Sequence, residues 1–236
     1  MAMRILSWGA GLFGLALAWA SAAEMHLSAD NGSPTTDVEW PTYNQTYDGQ
    51  RFSALNQINE TNVTELRERC RVVVGEPGSF NPGPIIVAGT LFVTTDGAQL
   101  AIDPVDCHVI WKTLYLYEEP PVFRGNRGFG YGRGRVFRGT SDGRLLALDA
   151  KTGLELWRAA IASPSDGEYV SAAPIVVGDR VFVGIAGGDF GIHGRMMAFD
   201  SSRGDLLWTF NTVPQEREKG VETWRGETWK HGGGGS

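Results

Sequence analysis

Ala147-Leu148-Asp149-Ala150-Lys151-Thr152-Gly153-Leu154-Glu155-Leu156-Trp157 decides the fold, because its frame returns twice without gaps. Ala101-Ile102-Asp103 leads to Trp111, and Ala198-Phe199-Asp200 leads to Trp208, with the same interval between Ala and Trp each time. At the fourth position after each Asp stands Cys107, Gly153 or Gly204. The unit reads as a hairpin. An apolar strand (Leu145 to Leu148, Met196 to Phe199) ends at the Asp. A turn closed by Gly follows in two of the three cases, where a positive φ is cheap. A second strand then carries the Trp.

Upstream of the first and third units lies another strand-pair signal. Pro84-Ile85-Ile86-Val87 is followed by Gly89-Thr90-Leu91-Phe92-Val93, and Pro174-Ile175-Val176-Val177 by Gly178-Asp179-Arg180-Val181-Phe182-Val183. Each repeat therefore holds about four strands in roughly 45–50 residues, the size of a propeller blade. A Trp at one position per blade fills the space between neighbouring sheets. Glycine supports the reading: 32 of 236 residues is about twice the usual share and suits many tight turns. Helical signals are confined to residues 62–69, where Asn62 followed by Glu65 has the pattern of a cap. The expectation is an all-β fold, a β-propeller with three to four blades in this chain.

The first residues read as an address. Arg4 precedes an apolar run over residues 5–19, and Ala20-Ser21-Ala22 supplies an A-x-A site, together the marks of a signal peptide over residues 1–22. The run is short for a membrane span, so the expectation is export with no span after cleavage, with an uncleaved anchor as the alternative. A formal charge of −6 argues against nucleic acid or an anionic membrane surface as partner. Two cysteines, Cys70 and Cys107, in an oxidising compartment point to one disulfide, with two buried thiols as the alternative. N-x-S/T triplets begin at Asn31, Asn44, Asn59 and Asn62, and matter only in a eukaryotic secretory pathway. His26, His108, His193 and His231 show no metal-ligand spacing.

The Ala-x-Asp-x-x-x-Gly-x-x-x-Trp frame resembles the tryptophan-docking motif of the quinoprotein (PQQ-dependent) alcohol dehydrogenases, whose propeller has eight blades. Three further stretches are similar to that family, in its order. One is Trp40-Pro41-Thr42-Tyr43 with Asp48-Gly49-Gln50-Arg51-Phe52-Ser53-Ala54-Leu55-Asn56. Another is Gly184-Ile185-Ala186-Gly187-Gly188-Asp189-Phe190-Gly191, and the last is Glu222-Thr223-Trp224-Arg225-Gly226-Glu227-Thr228-Trp229-Lys230 ahead of a glycine run.

The resemblance implies pyrroloquinoline quinone (PQQ) as cofactor, with calcium or another hard cation such as a lanthanide as Lewis acid. Arg127 matches the family arginine beside the cofactor, and Ser171 falls where many members have a Thr that bonds a cofactor carboxylate. Ala186, Gly187 and Gly188 match the small loop against the ring, and Asp189 falls at a metal-binding Glu. Each has a plainer reading. Arg127 lies in a run with Arg124, Arg133 and Arg135 among glycines that suits a solvated loop. Ser171 suits a strand end, Asp189 a turn cap, and Gly187-Gly188 a hairpin tip.

Two departures stand out. The vicinal cysteines of many members are absent from Pro120-Pro121-Val122-Phe123-Arg124-Gly125, and Cys107 takes the turn-glycine position of the first hairpin. The expected bridge from Cys70 to Cys107 would tie the opening segment to that hairpin. The family's Trp that stacks on the quinone, its Asn metal ligand and its catalytic Asp have no match before Ser236. The expectation is the N-terminal portion of a periplasmic dehydrogenase of alcohols, with a cytochrome-type acceptor for the full-length protein. Alone, that portion would hold part of the cofactor shell, no catalytic residue and no turnover. The competing reading is a cofactor-free propeller acting as a scaffold, like those of outer-membrane assembly.

Overall fold

Each Ala-x-Asp…Trp unit forms the third and fourth strands of a four-stranded antiparallel sheet, and the described residues make three such sheets. The computed structural model describes residues 39–75 and 80–234, so the expected signal peptide lies outside the described residues. The first sheet is β1 (Ile85–Val87), β2 (Thr90–Thr94), β3 (Ala98–Ile102) and β4 (Val109–Leu114), hydrogen-bonded in that order. The second is β5 (Gly130–Gly132), β6 (Arg135–Gly139), β7 (Arg144–Asp149) and β8 (Glu155–Ala160). The third is β9 (Ile175–Val177), β10 (Arg180–Gly184), β11 (Arg195–Asp200) and β12 (Leu206–Asn211). No helix among the described residues is long and apolar enough to cross a membrane.

The repeated residues have separate physical jobs. The Asp carboxylate caps its turn: Asp149 Oδ1 accepts from the N–H groups of Lys151 (3.1 Å) and Thr152 (2.8 Å), and Asp200 Oδ1 from those of Ser202 and Arg203 (2.9 Å each). The residue at the fourth position after it has positive φ, +65° at Cys107, +71° at Gly153 and +77° at Gly204. Its N–H donates back to the Asp carbonyl at 2.8 Å in all three hairpins. The Ala lies between two rings. Ala101, Ala147 and Ala198 are fully buried and sit opposite Phe92, Phe137 and Phe182 on one side and Trp111, Trp157 and Trp208 on the other. Over that small middle residue the rings approach to centroid distances of 6.1, 5.8 and 5.9 Å.

The sheets are joined through the tryptophans. Trp111 Nε1 donates to Ala150 O of the next sheet at 2.9 Å, and Trp157 Nε1 to Ser201 O at 3.2 Å. The indole lies flat against the glycine of the receiving turn. A Cβ on Gly153 would stand 2.5 Å from Trp111 Cε3, and one on Gly204 would stand 2.7 Å from Trp157 Cε3. Ring burial and a satisfied indole N–H thus coincide at each joint, as Trp requires when it is taken out of water. On the third sheet Trp208 remains 41% exposed beside Leu206, Leu207 and Phe210. The first strands converge at the inner end: side chains on Gly130 and Gly132 of β5 would collide with Pro174 and Val176 at β9.

Two expectations are corrected and a third, the disulfide, is borne out. The Arg/Gly run is not a solvated loop throughout, because it contains the hairpin β5–β6, with Val136, Phe137 and Arg138 buried. Residues Val63–Glu65 form a short 3₁₀ turn, but Asn62 does not cap it. Its side chain instead accepts from Asn59 N–H at 2.9 Å and donates to Gln57 O at 2.8 Å. Cys70 and Cys107 are disulfide-bonded. The bridge lays the segment before the first sheet along its face, where Val72 and Val74 pack on Val93, Ala98, Leu100 and Ile102.

Candidate functional site

The connections into the first strand of each sheet and the loops between second and third strands all emerge at one end of the sheets. At that end a lateral chain of main-chain hydrogen bonds crosses both joints. Gly83 N–H donates to Arg127 O at 3.0 Å, and Arg127 N–H donates to Ser171 O at 2.9 Å. Arg127 therefore has both its main-chain groups engaged by neighbouring sheets. Its exposed side chain forms no hydrogen bond or ion pair among the described residues. The other arginines of the run are committed: Arg124 stands 3.8 Å from Asp96, Arg133 donates to Gly178 O at 3.0 Å, and Arg135 to Arg133 O at 3.4 Å.

From Ser171 the chain leads to the loop between β10 and β11. Tyr169 and Ala186 exchange two main-chain hydrogen bonds, at 3.1 and 2.8 Å. Gly187, with φ +125°, lies so close to Gly167 that a Cβ would collide with its carbonyl. Residues Gly188–Phe190 then make a single 3₁₀ turn. Asp189 is exposed in that turn and its carboxylate caps nothing. The hydroxyl of Ser171, half-buried, and the carboxylate of Asp189 have no partner among the described residues. Arg127 and Ser171 are thus brought into main-chain contact, Ala186–Gly188 lie next along the rim, and Asp189 follows without an ion pair to Arg127.

Two braces hold the Asp189 loop. Glu168 pairs with Arg195 through hydrogen bonds of 2.6 and 2.9 Å and accepts from Ser163 N–H at 3.0 Å. Burial would raise the Glu168 carboxyl, but Arg195 and the Ser163 N–H outweigh it and hold the group below the usual carboxylate range. On the other flank the glycine run lies against the loop: Gly194 N–H donates to Gly233 O at 2.9 Å and Gly233 N–H to Ile192 O at 2.6 Å. A Cβ on Gly194 or Gly232 would strike main-chain oxygen.

A buried polar network beneath residues 125–127 is not foreshadowed by the sequence. Arg138, 1% exposed, donates to Gln99 Oε1 (3.1 Å), Ala98 O (3.3 Å) and Asp96 O (3.2 Å), and faces the Tyr115 ring at 5.5 Å. Asp142 accepts from Tyr115 (2.8 Å), Thr140 (2.6 Å) and Glu118 N–H (2.9 Å), and Asp96 from Tyr117. Burial first, and then these carboxylates, raise both tyrosine hydroxyls above their ordinary range, so they remain neutral donors. Ser141 Oγ links the network to Gly125 through its N–H (3.2 Å) and carbonyl (3.3 Å). Its members lie on separate loops and strands, which is why no linear motif announces them.

One cluster of possible metal ligands occurs among the described residues, Asp103, Asp106 and His108, with ligand atoms within 4.8 Å of one another. It places His108 beside two carboxylates. It lies in an exposed turn at the opposite end of the sheet from Arg127, and Asp106 and His108 are hydrogen-bonded to each other at 2.8 Å.

Residues 40–236 match the PQQ family described as glucose/ethanol/alcohol dehydrogenase, β-propeller domain. The chain is 33% identical to the lanthanide-dependent methanol dehydrogenase of Methylacidiphilum fumariolicum, over 95% of this chain and 40% of that protein. It is 30% identical to the quinohemoprotein alcohol dehydrogenase ADH IIB of Pseudomonas putida, over 92% of this chain and 34% of that one. Among solved structures, a europium-containing methanol dehydrogenase superposes with a TM-score of 0.80 at 32% identity, covering 86% of this chain and 40% of its own. The chain spans well under half the length of these relatives. With three sheets joined as the repeat requires and a family match over nearly all of the described residues, this chain belongs to the PQQ-dependent alcohol dehydrogenase β-propeller family.

Proposed function

We propose that the chain supplies the first part of the cofactor shell of an exported PQQ-dependent dehydrogenase acting on alcohols or related substrates. One observation carries the reading: Arg127, Ser171 and Asp189 offer an uncommitted guanidinium, hydroxyl and carboxylate from main chain that is itself fixed. The donor set fits a quinone bearing three carboxylates together with a hard cation. PQQ, when bound, supplies a two-electron quinone acceptor for hydride.

Arg127 pairs with acidic oxygens of the cofactor, where a planar guanidinium is suited to carboxylate. Ser171 donates its hydroxyl to another carboxylate. Ala186, Gly187 and Gly188 leave no side chain large enough to keep a flat ring from the main chain. Asp189 offers the hard oxygen that calcium or a lanthanide prefers. The catalytic base is not among the residues assigned here. Export to the periplasm with removal of residues 1–22, and electron transfer to a cytochrome-type acceptor, belong to the same proposal.

Equilibrium dialysis of PQQ against the whole protein as its gene encodes it, with and without calcium, tests the assignment. PQQ is expected to bind, more tightly with calcium. Arg127→Ala and Asp189→Ala are each expected to weaken binding by about tenfold or more, the scale of one lost charge-assisted contact. Unchanged binding in both variants overturns the site.

A further inference from the structure

Asn126 is polar, 5% exposed, and placed where the first two sheets meet. Its Oδ1 accepts from Thr94 Oγ1 at 2.6 Å and from Gly128 N–H at 2.8 Å, and its Nδ2 donates to Gly139 O at 2.7 Å. Thr94 ends β2 of the first sheet and Gly139 ends β6 of the second. One carboxamide therefore ties both sheets to the short stretch that carries Arg127.

Few side chains satisfy this position. The end facing Gly139 must donate and the end facing Thr94 and Gly128 must accept. Asp would set an oxygen against the Gly139 carbonyl, and an apolar residue would strand several buried groups, each costly to leave unpaired. The neighbouring backbone is equally constrained. Gly128 has φ +118°, and a Cβ there would lie 2.6 Å from Gly83 O. With Arg127 N–H and C=O both used across the joints, the Cα of Arg127 has no freedom left while its guanidinium is uncommitted.

We propose that Asn126 is the positioning residue for Arg127: it fixes the main chain from which the guanidinium reaches the anionic cofactor. The inference rests on the cofactor reading given above. Its physical content is preorganisation, in which the cost of ordering the binding group is met by folding instead of by the ligand.

The test is a double-mutant cycle on the whole protein, read by PQQ dissociation constant and, separately, by melting temperature. Asn126→Asp is expected to weaken PQQ binding about tenfold when Arg127 is present, and by less than about twofold in an Arg127→Ala background. Its effect on melting temperature should be the same in both backgrounds. Equal weakening in both backgrounds means that Asn126 only supports the fold, and overturns the proposal. If Arg127→Ala alone leaves PQQ binding unchanged, the cofactor reading fails, and this inference with it. Thr94→Val removes one of the three bonds and keeps the carboxamide. Should Asn126→Asp not fold, the same cycle with Thr94→Val decides, with a loss of about threefold expected only when Arg127 is present.

Discussion

Replacing Gly153 with alanine perturbs the joint between the first two sheets at one point, where backbone strain and the docked indole both oppose a Cβ. The residue has φ +71°, where a Cβ costs about 1–2 kcal/mol, offset by up to about 1 kcal/mol because alanine also restricts the unfolded chain. Gly134 has the same φ of +71° but nothing within 4 Å of an added Cβ. Gly134→Ala therefore measures the backbone term alone, about 1 kcal/mol. At Gly153 the added carbon stands 2.5 Å from Trp111 Cε3 and 2.6 Å from Cδ2. The indole cannot swing aside without losing its 2.9 Å hydrogen bond to Ala150 O. Overpacking of this kind costs about 1–3 kcal/mol, and the lost hydrogen bond about 1 kcal/mol more. The expected total for Gly153→Ala is about 3–5 kcal/mol. Urea unfolding followed by tryptophan emission reads both variants, with Gly134→Ala as the reference. If the two differ by less than about 0.5 kcal/mol, the spread typical of inconsequential substitutions, the flat docking of Trp111 on Gly153 is not what joins the sheets.

Loss of the Cys70–Cys107 bridge, which closes a separation of 37 residues, should lower stability by about 4 kcal/mol on chain entropy, measured as a reduced urea midpoint in dithiothreitol. Because Cys107 has φ +65°, Cys70→Ser with Cys107→Gly should unfold at a higher midpoint than Cys70→Ser with Cys107→Ser, by about 1 kcal/mol. The Glu168–Arg195 pair gives an acid-sensitive contribution. With the folded carboxyl held below its ordinary range, the pair stabilises fully above the unfolded value of about 4.3 and loses that contribution as pH falls through the folded value. Glu168→Gln should thus cost about 1–3 kcal/mol at pH 7 and progressively less toward pH 3, and a constant cost across that range would refute the assignment.

The outer half of each sheet was legible because Trp is rare and its distance from the Ala-x-Asp turn is fixed by hairpin geometry. The inner half was legible only in the first and third sheets, where β1, β2, β9 and β10 are runs of Ile, Val and Phe. In the second sheet the inner strand reads Gly130-Tyr131-Gly132, since β9 presses too closely on it to admit side chains. Packing demanded glycine there, and glycine looks like loop. Arg138 hid β6 in the same way: its charge is at home in the interior because Gln99 and main-chain carbonyls receive it. The site residues are visible only through the family resemblance, since nothing in the linear sequence separates Arg127 from Arg124 or Arg133. What separates them is the distribution of partners, which exists only after the sheets assemble. Asn126 was invisible for the same reason, its three partners being spread over Thr94, Gly128 and Gly139.

The Cys107 turn differs from the other two in what can dock on it. Every joint has a direction, with an indole offered by one sheet and a glycine turn receiving it on the next. The corresponding turn on the first sheet runs from Asp103 to Cys107. That turn carries Cys107 instead of glycine, in the same positive-φ conformation, with its sulfur bonded to Cys70. A side chain at this position would stand inside the docked indole, as the Gly153 and Gly204 joints show. The disulfide that ties down the opening segment therefore also fills the place that glycine leaves open to an indole at the other two turns.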